Sequence, residues 1–157
     1  MANTPPTRGS GLLESFLAHM RARQANKQIP HQLRTGRILD IGCGSGLSAK
    51  VFDCEITGID PSEELLKQCP FKTIKANAES IPFPDKSFDV VIAVTSMHNF
   101  NNIEAGLKEI KRVGKDLFAL TVLKKSPKKD SIINLIKKHF KIKKEIDEEK
   151  DLIFICS

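Results

Sequence analysis

The sequence predicts an α/β fold: a doubly wound, mostly parallel sheet of seven strands, flanked by helices and ending in an antiparallel hairpin. Short branched apolar runs alternate with segments of helical periodicity along residues 36–140, as in parallel sheets with crossover helices. A glycine-rich turn follows the first of these runs, at the place where doubly wound sheets bind ligands. Two strand-like runs separated by a charged turn fill residues 140–156 and predict the hairpin.

Length and hydropathy bound the class of protein. The chain has 157 residues, which fits one domain with a loose tail over 1–9, a helix within 10–30 and a core over 36–157. The helix is predicted because apolar residues recur there at three- and four-residue spacing. No apolar run approaches the ~20 residues that span a bilayer, and the N-terminus has no signal-peptide core. We therefore expect a cytoplasmic protein.

Cysteine spacing and charge narrow the possible ligands. The four cysteines form no C-x-x-C pair, so neither a metal site nor a disulfide framework is expected. The net charge of +6 permits an acidic partner such as nucleic acid. However, the lysines of the C-terminal third are mixed with acids, and this favours a solvated face over a nucleic-acid groove.

The first predicted strand, 38–41, runs into a turn that has glycine at alternate positions. Gly42, Gly44 and Gly46 can take positive φ and let a ligand lie against the bare backbone. The third glycine comes one place too early for the dinucleotide fingerprint G-x-G-x-x-G. Asp40 lies two places before the first glycine, where a carboxylate suits a cationic ligand group better than a pyrophosphate.

The remaining elements follow in order. The further strands are predicted over 55–60, 71–76, 87–94, 116–123, 140–147 and 151–156. The further helices are predicted over 47–52, 62–69 and 101–113, with a last one beginning at Ser126 or Asp130. Ser62 is the expected N-cap of its helix, because acids follow it in the first turn.

Two passages carry a resemblance to a known family. D-x-G-x-G-x-G after a strand, here residues 40–46, resembles the first motif of class I S-adenosylmethionine-dependent methyltransferases. The pattern A-x-A-E-x-x-P-F-P-D-x-x-F-D over 76–89 is similar to the branch that includes ubiquinone and menaquinone C-methyltransferases (methyltransferase type 11 domain). The resemblance implies a Rossmann-like fold, S-adenosyl-L-methionine as cofactor and S-adenosyl-L-homocysteine as product.

The cofactor-binding residues are predicted from the motifs and the resemblance together. Asp60 lies 18 residues after Gly42, near the ~20 typical of an acid that binds ribose hydroxyls, although it is alternatively a helix cap. The resemblance implies that Asn77 and Ala78 contact adenine and that the backbone near Val94 meets the methionine part. The predicted set is Asp40, Gly42, Cys43, Gly44, Gly46, Asp60, Pro61, Asn77, Ala78 and Val94. Within it, Cys43 is interpreted as a packing residue and not as a nucleophile.

The loop after the fourth strand is the predicted substrate side of the site. Thr95, Ser96 and His98 follow the carboxyl end of that strand and are expected to face the substrate. His98 is the candidate general base because the ordinary pKa of histidine lies near neutrality. Alternatively, His98 only tethers the loop.

The sequence favours a small-molecule acceptor. No lid-like insertion follows the fifth strand, and no N-P-P-Y-like tetrapeptide follows the fourth. We expect the acceptor to lie between residues 10–30, which cross the cofactor site or simply pack on the sheet, and the 95–100 loop. One alternative is an RNA- or protein-directed methyltransferase that uses the lysine-rich C-terminal third. Another is a non-catalytic cofactor-binding subunit that activates a partner.

Overall fold

A computed structural model describes residues 36–46 and 55–157 of the protein. Within these ranges the strands are β1 Arg37–Ile41, β2 Glu55–Asp60, β3 Lys72–Lys75, β4 Val90–Ala93, β5 Phe118–Leu123, β6 Ile142–Asp147 and β7 Asp151–Cys156. The helices are α1 Glu63–Leu66, α2 Ile103–Val113 and α3 Lys129–His139, with a 3-10 turn at Met97–Asn99. The predicted tail over 1–9 and the predicted helices within 10–30 and over 47–52 lie outside the described residues.

The strands form one seven-stranded sheet in the order β3-β2-β1-β4-β5-β7-β6. β1 pairs in parallel with β2 on one side and with β4 on the other, whereas β7 is antiparallel to both β5 and β6. This arrangement confirms the predicted fold class. The strand order reverses between β1 and β4, so their carboxyl ends form the crevice where sheets of this kind bind ligands.

Both faces of the central strands are buried, as expected for a parallel sheet covered on two sides. Alternate residues separate into two apolar clusters because side chains along a strand point to opposite faces. Leu39 and Val91 lie in the cluster that packs against α2 and α3, whereas Ile38 and Ile92 lie in the other. The branched apolar composition of β1 and β4 thus places their ends rigidly beside each other.

Helix α2 matches the predicted helix over 101–113 and has sequence signals at both ends. The Asn102 side chain caps it by accepting a hydrogen bond from the Ala105 N–H at 3.0 Å. Lys111 and Arg112 lie in its last turn, where cations stabilise the helix dipole. None of the helices in the described part of the chain is long and apolar enough to cross a membrane.

Two predicted boundaries are wrong by three residues each, whereas the last helix begins one residue before the predicted Asp130. The fourth strand begins at Val90 rather than at position 87, because Phe88 bridges to Gly114 instead of continuing the ladder with β1. The helix predicted over 62–69 spans only Glu63–Leu66, although Ser62 does cap it as predicted. The last helix begins at Lys129, and the Lys128 that precedes it makes no side-chain cap.

Candidate cofactor-binding site

The glycine turn after β1 is fastened to the end of β2. The N–H groups of Gly42 and Cys43 both donate to the Ile59 carbonyl oxygen, at 2.8 and 3.0 Å. The Gly46 N–H donates to the Cys43 carbonyl at 2.8 Å. A fourth donor of the turn, the Gly44 N–H, binds the Asp60 carboxylate. Because these donors are used internally, they do not form a cradle for a phosphate.

Gly42 and Gly44 are glycines for different physical reasons. Gly42 has φ of +69°, and a Cβ there would lie 2.5 Å from the Ser96 Cβ, so the turn and the loop after β4 touch at this point. Gly44 also has positive φ, +54°, but among the described residues an added Cβ there would meet only the Leu65 side chain, at 3.7 Å. No other described residue fills the space beside Gly44, where the sequence predicts that a ligand lies.

Asp60 joins the turn to the loop after β2. Its Oδ2 accepts from the Gly44 N–H at 3.0 Å and its Oδ1 accepts from the Ser62 N–H at 2.8 Å. The residue is only 9% exposed, so it is largely buried at the end of β2. Each carboxylate oxygen has a further lone pair for a ligand hydroxyl. Since Ser62 is the N-cap of α1, Asp60 is not simply the cap of that helix.

Asp40 lies beneath the turn at the end of β1. It is 1% exposed, and no described group hydrogen-bonds its Oδ2. Burial raises the pKa of this carboxyl group to about 8, and the neighbouring Asp60 carboxylate adds to the shift. A buried carboxylate oxygen without a partner is costly, and a cationic ligand group would relieve it. The residues of this site therefore fit a ligand such as S-adenosylmethionine, which has a sulfonium and an ammonium group.

Cys43 is a packing residue, in agreement with the sequence interpretation. Its thiol is buried and lies so close to Gly58 that a Cβ there would meet Sγ at 2.5 Å. Burial is the largest cause that raises the pKa of the Cys43 thiol, and Asp40 raises it further. A thiol of this kind stays protonated and is a poor nucleophile.

The residues predicted at the adenine side follow the next strand of the sheet. The Ala76 N–H donates to the Asp60 carbonyl at 3.3 Å, which holds the end of β3 beside the end of β2. Asn77 is exposed there, and Ala78 is buried directly after it. Pro61 is exposed on the neighbouring loop. The structure thus brings these three residues to the same edge of the sheet as the glycine turn.

The loop after β4 differs from the expectation at one residue. Ser96 is buried, and its hydroxyl donates to the Ile41 carbonyl at 2.9 Å, so it binds the end of β1 and does not face a substrate. Half-buried Val94 and Thr95 lead into this loop. Thr95 has φ of +49°, a left-handed conformation that is unusual for a β-branched residue and recurs at functional sites.

His98 lies in the 3-10 turn and is partly exposed. No described side chain hydrogen-bonds its imidazole ring, whereas the Lys128 ammonium donates to its backbone carbonyl at 3.0 Å. Sequence reasoning missed Thr121, whose Oγ1 accepts from the Thr95 N–H at 2.7 Å. A threonine in the middle of an otherwise apolar strand was the available signal for that contact.

The comparisons with known proteins agree with this geometry. Residues 39–117, half of the chain, match the family described as "Methyltransferase domain". An uncharacterized protein of Methanocaldococcus jannaschii is 38% identical over 123 residues, which cover 74% of this chain and 49% of that protein. The demethylmenaquinone methyltransferase of Chlorobaculum tepidum is 34% identical over 110 residues, which cover 64% and 45% of the two chains.

The chain spans about half the length of the curated relatives it matches. Among solved structures, a SAM dependent methyltransferase from Aquifex aeolicus superposes with a TM-score of 0.68 at 16% identity, over 92% of this chain and 88% of the other. This structural likeness confirms the fold, and the family match confirms the resemblance read from the motifs. The chain belongs to the methyltransferase domain family, with the fold of S-adenosylmethionine-dependent enzymes.

Proposed function

We propose that this chain binds S-adenosylmethionine and transfers its methyl group to a small-molecule acceptor. The observation that carries the proposal is the pair of acids at the glycine turn: Asp60 accepts from the Gly44 N–H, and Asp40 is buried near enough to Asp60 for the two to interact electrostatically. Asp60, together with Asp40 once a cationic ligand favours its ionised form, would repel a pyrophosphate, and four N–H groups of the turn are already hydrogen-bonded within the protein. The two acids attract a ligand that carries positive charge and ribose hydroxyls.

Each predicted residue then has a role toward the cofactor. The turn over 42–46 lies against the methionine part, and Asp40 faces its ammonium group. Asp60 accepts hydrogen bonds from the two ribose hydroxyls. Pro61, Asn77 and Ala78 would contact the adenine ring, and the backbone near Val94 would meet the methionine part.

Bound S-adenosylmethionine supplies an electrophilic methyl group and a neutral thioether as the leaving group. The chain therefore needs no acid at the leaving side. Its main contribution is to align the acceptor atom with the methyl group and to exclude water, an effect worth roughly 7–11 kcal/mol in well-oriented reactions. Where the acceptor atom carries a proton, His98 is the residue of the 95–100 loop that would accept it.

A small acceptor is supported by the names of relatives. The Chlorobaculum tepidum protein is named a demethylmenaquinone methyltransferase, and a Rickettsia bellii relative is named a ubiquinone/menaquinone biosynthesis C-methyltransferase. We extend to this chain only the class that these names share, a small organic molecule. The 95–100 loop forms the described part of the predicted acceptor side.

Calorimetric titration of the purified protein with S-adenosylmethionine, and separately with NAD, tests the cofactor. We expect micromolar binding of the first and no binding of the second. A purified protein that binds S-adenosylmethionine but methylates no quinol, RNA or protein acceptor would support the activating-subunit alternative. Binding of NAD alone would contradict the proposal.

The variant Asp60→Ala tests the ribose assignment. It removes hydrogen bonds to a charged group, so S-adenosylmethionine affinity should fall by about 1.5–3 kcal/mol. Asp60→Asn is the shape-preserving companion, and Glu145→Ala, on the exposed face of β6, is the control that should leave affinity unchanged. An unaltered affinity in folded Asp60→Ala would rule out the ribose role.

A further inference from the structure

The segment between β3 and β4 forms a long loop over 76–89 that begins at the adenine side of the proposed site. A loop without regular structure must find partners for its buried backbone N–H and C=O groups. Some of these partners lie within the loop, such as the Ser80 N–H that donates to the Asn77 carbonyl at 3.1 Å, but the middle of the loop is held by α2. The contacts of α2 therefore help to fix the segment that begins at Asn77 and Ala78.

Two side chains of α2 hold the middle of this loop. Glu109 Oε2 accepts from the Ile81 N–H at 2.9 Å, and Arg112 Nη2 donates to the Ile81 carbonyl at 2.9 Å. Arg112 Nη1 donates to the Phe83 carbonyl at 2.8 Å and to the Asp85 carboxylate at 2.9 Å. One arginine and one glutamate thus satisfy both backbone groups of Ile81 and the carbonyl two residues later.

The two side chains also hold each other. Arg112 Nε and Nη2 donate to the two oxygens of Glu109, at 2.7 and 2.9 Å, in a bidentate pair. Bidentate pairing fixes the plane of the guanidinium group, so its remaining N–H groups point in defined directions. We name Glu109 and Arg112 together the α2 clamp. Lysine cannot reproduce this fork, because an ammonium group is a point charge without a plane.

The anchored loop leads directly to the adenine side. The Asn102 N–H at the start of α2 donates to Glu79 Oε1 at 2.9 Å. Ala78 rests on α2 at Gly106, where an added Cβ would lie 3.5 Å from the Ala78 Cβ. From Ala78 to Ile81 the chain is therefore fixed to one helix, which leaves Asn77 little freedom to move.

We infer that Arg112, held by Glu109, is a positioning residue that shapes the adenosine half of the cofactor site from outside it. The inference rests on the proposed function. Neither side chain belongs to the site itself, since both lie on α2 and act through the loop backbone. The side chains of Arg112 and Glu109 are 32% and 23% exposed, and partly solvated ion pairs contribute little to global stability. Loss of the clamp should therefore free the loop without unfolding the sheet.

The test compares Arg112→Ala with Lys111→Ala, its neighbour on the same helix. Lys111 donates to the His139 carbonyl at 2.7 Å and lies over the Phe140 ring, so it faces α3 and does not touch the loop. Dissociation constants are measured by calorimetry for S-adenosylhomocysteine and for 5′-methylthioadenosine, which has the adenosine half but no amino acid. Thermal unfolding of each variant confirms that it is folded.

Arg112→Ala should raise the dissociation constants of both ligands by the same factor, roughly tenfold, because binding must then order the freed loop. Lys111→Ala should change neither dissociation constant by more than about twofold. Arg112→Lys should show a loss of affinity smaller than that of Arg112→Ala but still measurable. Hydrogen exchange should accelerate at the Ile81 amide in Arg112→Ala and not in Lys111→Ala. If Arg112→Ala does not fold, Glu109→Gln keeps an acceptor for the Ile81 N–H and should show a smaller loss of the same kind.

Two results would overturn the inference while leaving the proposed function in place. One is an equal loss of affinity in Arg112→Ala and Lys111→Ala. The other is a loss for S-adenosylhomocysteine without a loss for 5′-methylthioadenosine, which would locate the effect at the methionine half. Failure of the wild-type protein to bind either ligand would instead overturn the proposed function, and this inference with it.

Discussion

Asp40 combines full burial with a carboxylate oxygen that no described group hydrogen-bonds. Burial, and secondarily Asp60, raises its pKa from 3.8 to about 8. Between these two values the native protein holds a proton that the unfolded chain has lost. The free energy of unfolding of the ligand-free protein should therefore fall as pH rises from about 4 to 8, and level off above 8.

Asp40→Asn should remove this contribution, which amounts to at most about 1.4 kcal/mol per pH unit. Urea unfolding of the ligand-free wild type and variant at several pH values between 5 and 8 measures it. The variant should gain stability relative to the wild type as pH rises. A constant difference across this range would mean that Asp40 is already ionised in the native protein.

The same residue should couple ligand binding to proton release. A cationic ligand favours the ionised carboxylate, so S-adenosylmethionine affinity should rise between pH 6 and 7.5. Above that range the ligand's own α-amino group, with a pKa of about 8, begins to titrate. Calorimetry in buffers of different ionisation enthalpy counts the protons, and Asp40→Asn should release none.

His98→Ala separates catalysis from binding. If His98 is the base, the variant should keep its S-adenosylmethionine affinity and lose roughly 10²–10⁴-fold in kcat. Lys128→Ala is the matched control, because the Lys128 ammonium donates to the His98 backbone carbonyl and not to its ring. Equal losses of rate in the two variants would show that the loop needs tethering and that the imidazole is not a base.

Alanine substitutions at two glycines of the turn should have different effects, one on stability and the other on ligand affinity. Gly42→Ala combines positive φ with a clash against Ser96, so it should destabilise the protein by about 2–4 kcal/mol. Gly44→Ala should have mainly the backbone cost of about 1–2 kcal/mol, because within the described residues the added Cβ would meet only Leu65, at an ordinary 3.7 Å. Its added methyl group should instead reduce S-adenosylmethionine affinity, measured by calorimetry.

The comparison of the two variants is the test. Thermal unfolding should rank Gly42→Ala as the less stable of the two. If Gly44→Ala binds S-adenosylmethionine as tightly as the wild type, the ligand does not lie against this part of the turn.

Local patterns in the sequence were enough to predict the seven strands, the helices within the described residues and the terminal hairpin. Alternation of apolar runs with helical segments predicted the sheet, and β7 spans the predicted residues, Asp151–Cys156. The boundary errors lie where tertiary contacts override propensity. Phe88 leaves the β4 run to bridge Gly114, and Thr95 bends the chain directly after that strand.

Only those residues of the candidate site that belong to a short sequence motif could be predicted. Asp40, Gly44 and Asp60 are close in the chain or follow known spacings, and the structure brings them together. The contact between Arg112 and Ile81 joins residues that are 31 positions apart. It could not be predicted, because Ile81 takes part through its backbone carbonyl, which every residue has. Likewise, nothing in its sequence neighbourhood shows that the Ser96 hydroxyl turns inward to the Ile41 carbonyl.

The sheet order explains why these separate segments form one site. β1 lies between β2 and β4, so the turn after β1 touches both the Asp60 loop and the loop that begins at Val94. The predicted cofactor side, after β1 and β2, and the predicted acceptor side, after β4, are therefore adjacent at one edge of the sheet. The antiparallel β6–β7 hairpin extends the other end of the sheet and contributes no residue to the predicted site.

The small-molecule proposal and the nucleic-acid alternative differ in how strongly binding should depend on salt. The net charge is +6, yet several lysines form ion pairs with nearby acids. These pairs are Lys115 with Asp89, Lys124 with Asp147 and Lys138 with Glu104. Binding that neutralises 6–10 phosphates loses roughly 10³–10⁵ in affinity between 50 and 200 mM salt. A small acceptor without such a contact set should show almost no change over that range.

We therefore expect kcat/KM for a quinol-type acceptor to vary less than about threefold between 50 and 200 mM salt. Charge reversal of exposed Lys141 and Lys143, at β6, should leave kcat/KM unchanged, since both are far along the sheet from the predicted site. A steep salt dependence, reduced by these reversals, would instead show that the lysine-rich third binds a polyanion. The acceptor would then have to be sought among nucleic acids, with the cofactor site unchanged.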